Sequence, residues 1–167
     1  MTDSPDNAVI IIVDDLGGPE IAGLLQRHLD FVTALSPIES VHALDINGLK
    51  NDAITFWSAW LGPGQGLAHG KNLVGCVALK ELDTEHGEIK SMHTAIAARG
   101  RGIGRKLLLH LIGEAEKRAY RRLSLETGTS YAFEPARSLY RNFGFETCPP
   151  FADYFDDPHS TCMTRRL

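Results

Sequence analysis

The stretch Arg99-Gly100-Arg101-Gly102-Ile103-Gly104-Arg105-Lys106 decides how the rest of the chain is read. It opens a segment in which Ile103, Leu107, Leu108, Leu111, Ile112, Ala115 and Ala119 recur at the spacing of one helical face. A helix N-terminus carries partial positive charge and ordinarily attracts Asp or Glu. Here Arg99, Arg101, Arg105 and Lys106 crowd that end instead. The three glycines add a conformational cost of up to about 1 kcal/mol each wherever they are held in helical positions. A bound anion offsets both penalties, because bare N–H groups and the helix dipole favour it and the arginines neutralise it. A solvated basic turn is the alternative that composition leaves open.

Two common phosphate loops do not fit. A Walker A loop ends in Gly-Lys-Ser/Thr, which is absent, and the dinucleotide fingerprint G-x-G-x-x-G needs a parallel β-α-β unit around it.

Working outward, Ala8 to Val13 is an apolar, β-branched run that predicts a first strand. Pro19 then opens a helix with Ile21, Leu24, Leu25, His28 and Val32 on one face. Ser36-Pro37-Ile38-Glu39 reads as a capping box opening a second helix, with Ile38, Val41 and Leu44-Asp45 as its buried stripe. Ile54 to Trp60 and Leu73 to Leu79 predict an antiparallel pair joined across the glycine-rich loop Gly62 to Lys71, with Trp57, Trp60 and Cys76 as core or sheet-face residues. Glu88 to Thr94 and Leu123 to Thr127 are further strands, Glu134-Pro135 opens a short helix that Gly144 ends, and Thr161 to Arg166 is a last strand. The order β-α-α-β-β-β-α-β-α-β-β predicts an α/β fold, a mixed sheet with helices on its faces, in one domain over residues 1–167.

Bulk properties narrow the function. The 167 residues are 43% hydrophobic and 23% charged, with a net charge of -4, which suits a globular domain and argues against a general nucleic-acid partner. No apolar run reaches the roughly 18 residues of a membrane span, and the start Met1-Thr2-Asp3-Ser4-Pro5-Asp6 lacks the basic character of a signal peptide, so a cytoplasmic location is expected. Cys76, Cys148 and Cys162 are widely spaced and odd in number, as reduced thiols are. The seven histidines show no metal-ligand spacing, so no metal is expected. A homodimer is the oligomer that base rates favour.

The glycine-arginine stretch resembles the R/Q-x-x-G-x-G/A signature of the GNAT N-acetyltransferase superfamily, with Arg99, Gly102 and Gly104 in the defining places. Downstream, Pro135-Ala136-Arg137-Ser138-Leu139-Tyr140-Arg141-Asn142-Phe143-Gly144-Phe145 resembles that superfamily's A-x-x-L-Y-x-x-x-G-F helix. The resemblance is strongest over residues 54 to 148. Glu39 to Asp45 and Pro150-Phe151-Ala152-Asp153-Tyr154 look like its bacterial YsnE-type branch. The resemblance implies acetyl-CoA as cosubstrate, with its pantetheine arm along the backbone of Met92, His93 and Thr94. Its pyrophosphate would lie on the segment Arg99, Gly100, Arg101, Gly102, Ile103, Gly104 and Arg105. Ile96 and Phe133 depart from the common pattern, which has proline and asparagine there.

Attack on a thioester needs a neutral amine, an oxyanion donor and a proton for the departing thiolate. Glu88, eleven residues before Arg99, is the candidate base; the alternative is a glutamate ion-paired with Lys90. Period two puts Glu88 on Met92's face unless a bulge intervenes. Tyr140 matches the tyrosine that in many members donates to the coenzyme sulfur. His42, Glu126 and Tyr154 are substrate-side candidates, and His93 or Thr94 amides would serve the oxyanion. The expected reaction is acetyl transfer to a primary amine of a small molecule in a ternary complex. An acyl-CoA-binding sensor without turnover, and a peptide or protein N-acetyltransferase, are the alternatives.

Overall fold

The computed structural model describes residues 8–62 and 72–167. The expectations for Met1 to Asp6, and for nearly all of the loop Gly62 to Lys71, fall outside the described residues.

Among the described residues seven strands form one sheet: β1 (Val9–Val13), β2 (Ile54–Leu61), β3 (Leu73–Asp83), β4 (His86–Thr94), β5 (Arg122–Gly128), β6 (Glu146–Cys148) and β7 (Ser160–Arg166). Their order across the sheet is β1-β2-β3-β4-β5-β7-β6. Neighbours run antiparallel except β4 and β5, which are parallel. That pair needs a crossover, and helix α3 (Ile103–Lys117) supplies it.

Each face buries its own core. Helix α1 (Pro19–Leu35) covers one side, packing Ile21, Leu24 and Leu25 with Phe56, Cys76 and Ala78. On the other side α3 packs Leu107, Leu108 and Leu111 against Val77, Leu79, Ile89 and Leu125, joined by Tyr140 from α4 (Glu134–Asn142). Burying a leucine of this kind contributes about 1.5–3 kcal/mol. Trp57 belongs to the α3-side core and Cys76 to the α1-side core, as their apolar surroundings predict.

The element order agrees with the sequence reading, but the second helix lies elsewhere. Ile38–Ser40 forms only a 3-10 turn with no side-chain cap, and Ile38 is 74% exposed. The helix, α2, is the single turn Ile46–Leu49, capped by the Asp45 carboxylate accepting from the Gly48 N–H at 2.8 Å. Proline at position 37 suits a turn as well as a helix start, and Asp45 supplies the local acceptor that Ser36 does not. Ala119 also leaves its expected stripe: α3 stops at Lys117 and Ala119 sits at φ +59°, while Tyr120 is buried in its place.

Two irregularities shape the centre of the sheet. Between β3 and β4, Cys76 opposes His93 and Ala78 opposes Lys90, so β4 carries one extra residue; Ser91 lies in this bulge at φ +50°. The bulge puts Glu88, Lys90 and His93 on the α1 face and leaves Ile89 and Met92 packed with the α3 core. Glu88 and Met92 therefore do not share a face. Between β4 and β5, pairing ends at Ile89 with Leu125, although β4 runs on to Thr94 and β5 to Gly128. Beyond that point the strands part and a cleft opens.

Candidate active site

The cleft is the mouth of a cavity of about 570 Å³ reached by α1, the segment 40–43, β4, the start of α3, the end of β5, α4 and Tyr154. Three regions of its wall differ in chemistry.

At the first, Gly100 and Gly102 take φ +77° and +75°. Gly102 is the N-cap of α3, has no capping side chain, and is followed by no acid in the first turn. Helix geometry leaves the N–H groups of Ile103, Gly104 and Arg105 without intrahelical acceptors. A Cβ on Gly100 or Gly102 would meet nothing within 4 Å, so positive φ rather than crowding selects glycine there. At Gly104 a Cβ would lie 3.3 Å from Leu139 Cδ2, so α3 and α4 meet closely at this point. Arg99 Nε donates to the Thr94 carbonyl at 3.4 Å while its guanidinium covers the Phe31 ring at 5.1 Å. Arg105 lies over Phe143 at 5.2 Å. The Arg101 side chain is exposed and stands outside the cavity wall. Free amides, left-handed glycines and flanking cations fit a pyrophosphate.

The second region holds Tyr140. Its ring is buried against Phe145 at 5.8 Å, and its hydroxyl reaches Met92 Sδ at 3.8 Å. Burial, reinforced by the Glu126 charge, pushes the phenol well above its ordinary range, so it stays protonated at neutral pH. Phe133 packs edge-on to Phe31 at 5.7 Å and abuts Gly128, filling its position with an apolar ring.

The third region lies on the α1 face. Glu88 is 2% exposed, and its Oε1 accepts from Lys90 Nζ at 3.1 Å and from the Tyr154 hydroxyl at 2.5 Å. Lys90 also donates to Tyr154 at 3.0 Å. His42 meets the Tyr154 ring edge-on at 5.1 Å. Glu126 Oε1 accepts from Ser160 Oγ at 2.7 Å, and burial raises its carboxyl above the usual range against the pull of that hydrogen bond. His93 and His28 stand nearby, Nδ1 to Nδ1 at 3.2 Å.

The structure thus brings Glu88, Met92, His93, Thr94, Arg99, Gly100, Gly102, Ile103, Gly104, Arg105, Tyr140, His42, Glu126 and Tyr154 to one cavity. Glu88 is ion-paired with Lys90. Lys90 and His28 carry polar chemistry into the wall that the sequence reading treated only as an ion-pair partner and as a helix stripe position. Lys90 stands two residues from Glu88 on one strand, and that spacing was its signal. His28 had only its place beside Leu24 and Leu25. Among the described residues, no group of three or more His, Cys, Asp or Glu could hold a metal ion.

A seven-stranded sheet that splits between two parallel strands, with a glycine-rich, uncapped N-terminus on the helix that follows the first of them, defines an acyl-CoA N-acyltransferase architecture. The Acetyltransferase (GNAT) family profile matches residues 28–145. The chain is 52% identical over 157 residues to an uncharacterised N-acetyltransferase, YsnE, of Bacillus subtilis, covering 94% of this chain and 99% of that one. A putative acyl-CoA N-acyltransferase from Klebsiella pneumoniae superposes with TM-score 0.73 at 26% identity, covering 95% and 97% of the two chains. The PaiA N-acetyltransferase of Thermoplasma acidophilum, solved in complex with coenzyme A, shares the fold with TM-score 0.72 at 15% identity, covering 96% and 99%. The chain belongs to the GNAT acetyltransferase family, and it is an acetyltransferase that uses acetyl-CoA.

Proposed function

We propose that this enzyme transfers acetyl from acetyl-CoA to the primary amine of a small molecule, in a ternary complex, as one N-acetyltransferase domain acting in the cytoplasm. The observation that carries the reading is the single cavity in which the α3 cradle, the Tyr140 hydroxyl and the polar α1-face cluster all take part. The backbone of Met92 to Thr94 would hold the pantetheine arm, and the amides from Gly100 to Arg105 the pyrophosphate. Tyr140, kept protonated by burial, would donate to the departing thiolate. His42, Glu126 and Tyr154 would face the acceptor.

The test is release of free CoA from acetyl-CoA, followed with a thiol reagent across a panel of amines. Amine-dependent release is expected, and Tyr140→Phe should lose about 10- to 100-fold in kcat while binding CoA as the parent does. CoA binding with no amine-dependent release would instead identify a sensor. Release with peptide amines alone would identify a peptide acetyltransferase.

A further inference from the structure

We propose that Glu126, not Glu88, binds the acceptor's ammonium group and takes its proton, and that the acceptor is a monoamine with an apolar body and no anionic group. This rests on the acetyltransferase reading above and goes on to name the base and the substrate class.

The two glutamates differ in what their charges already face. Glu88 lies against the Lys90 ammonium and the Tyr154 hydroxyl, both bound to the same oxygen, so its charge is cancelled inside the wall. Glu126 sits on β5 where that strand parts from β4. Its hydrogen-bond partner is the neutral Ser160 hydroxyl, and no cation lies within ion-pair distance of it among the described residues. With Glu88 and Lys90 paired, Glu126 is the carboxylate of the cluster left without an ion-pair partner among the described residues, with Lys90 and His42 acting on it only from a distance. A half-buried carboxylate without an ion-pair partner favours a cationic one. The groups facing it are Lys90 and Glu88 from β4, His42 from the segment before α2, Ser160 and Cys162 from β7, Tyr154 from the β6–β7 connection and Tyr140 from α4. Burial raises the Glu126 carboxyl, which moves it toward the range where a base works near neutrality.

The rest of the α1-side wall selects the body of the acceptor. Phe31, Val32, Val41 and Ala43 line it. Lys90 already serves Glu88 and Tyr154, and Arg99, over Phe31, belongs to the segment assigned to the pyrophosphate, so a substrate carboxylate beside the ammonium would meet Glu126 with no cation in ion-pair distance of that glutamate among the described residues.

The ammonium gives one proton to the Glu126 carboxylate, which returns it to solvent. The freed nitrogen lone pair forms the N–C bond to the thioester carbon, and the C–S bond breaks with its electron pair leaving on sulfur. Tyr140 gives a proton to that sulfur and is restored by the second N–H proton of the new amide. Ammonium and acetyl-CoA thus become amide, free thiol and one released proton.

The experiment measures kcat/KM against pH for phenethylamine, phenylalanine and spermidine, in the parent enzyme and in Glu126→Gln, Glu88→Gln and Ser160→Ala, with CoA binding as the control for folding. Phenethylamine should exceed phenylalanine and spermidine by about 100-fold or more, the cost of an unpaired buried charge. For the parent enzyme kcat/KM should rise with pH as Glu126 ionises and fall again as the amine loses its charge. Glu126→Gln should lose about 100-fold at neutral pH and lose the acidic limb, following the free amine alone. Ser160→Ala should move the acidic limb to higher pH, because the lost hydrogen bond favoured the carboxylate. Glu88→Gln should keep that limb. Amine turnover that survives Glu126→Gln with its acidic limb intact overturns the assignment and leaves the acetyltransferase reading standing. Phenylalanine turned over as well as phenethylamine overturns the substrate class. A parent enzyme that binds CoA and acetylates no amine overturns the reading on which both rest.

Discussion

His28 on α1 and His93 on β4 meet Nδ1 to Nδ1 at 3.2 Å, so one ring donates and the other accepts, and the bond is lost when both rings are protonated. His93 is 7% exposed. Burial brings His28 down to about 4, and burial with the nearby His28, Arg99 and Arg27 brings His93 down to about 3.

The pair makes stability depend on acid. The unfolded chain protonates these rings near 6.5, above their folded values, so it binds more protons between about pH 4 and 6.5. Stability is then full above pH 6.5 and falls as pH drops toward 4. Moving one histidine from 6.5 to about 4 corresponds to about 3 kcal/mol. Urea unfolding between pH 7.5 and 4.5 should show this decline, and His93→Gln should flatten it. An unchanged slope in that variant would show that other groups govern acid stability.

The buried Glu88–Lys90 pair should behave as a unit. Lys90→Met leaves a carboxylate that is 3% exposed facing only the Tyr154 hydroxyl, a loss of about 3–5 kcal/mol. Glu88→Gln with Lys90→Met removes both charges and should recover most of that loss in urea denaturation. Additive costs would mean that the pair is not coupled.

These contacts mark where sequence reading reaches its limit. Strand periodicity, the Gly102 turn and the apolar stripe of α3 are local properties, and they placed the strands, the start of α3 and the main core stripe in the right order. Glu88 shows the limit: its face depends on one extra residue at Ser91, and nothing in the chemistry of serine announces a bulge. Its partner Tyr154 comes from 66 residues away on a connection without regular structure. The His28–His93 contact spans 65 residues between a helix and a strand, each with its own periodicity. Ser36 misled because a capping box is a local preference, and the chain there turns before a helix can start.

Phe133 sets a steric limit beside the cavity. A Cβ on Gly128 would overlap the Phe133 ring. Gly128→Ala should therefore cost about 1–3 kcal/mol in thermal or urea unfolding as the ring is displaced. Gly128→Ala combined with Phe133→Leu should recover part of that cost. An unaffected single variant would show that the ring moves freely.

Two glycines of α3, one at its N-cap and one in its interior, separate binding from stability. Gly102 holds φ +75° at the N-cap with open space where a Cβ would point, so Gly102→Ala meets no clash and costs about 1–2 kcal/mol of backbone strain. Relief of that strain rotates the peptide groups on either side, including the amides that face the cradle, so CoA should bind about 10-fold more weakly, the equivalent of one or two lost hydrogen bonds. Gly113 lies inside α3 with negative φ and nothing within 4 Å of its Cβ position. Gly113→Ala should raise stability by about 0.5–1 kcal/mol through helix propensity and leave CoA binding unchanged. Calorimetric titration with CoA beside urea unfolding reads both effects in each variant. If Gly102→Ala lowered stability yet bound CoA as the parent does, the amides around Gly102 would not be part of the pyrophosphate cradle.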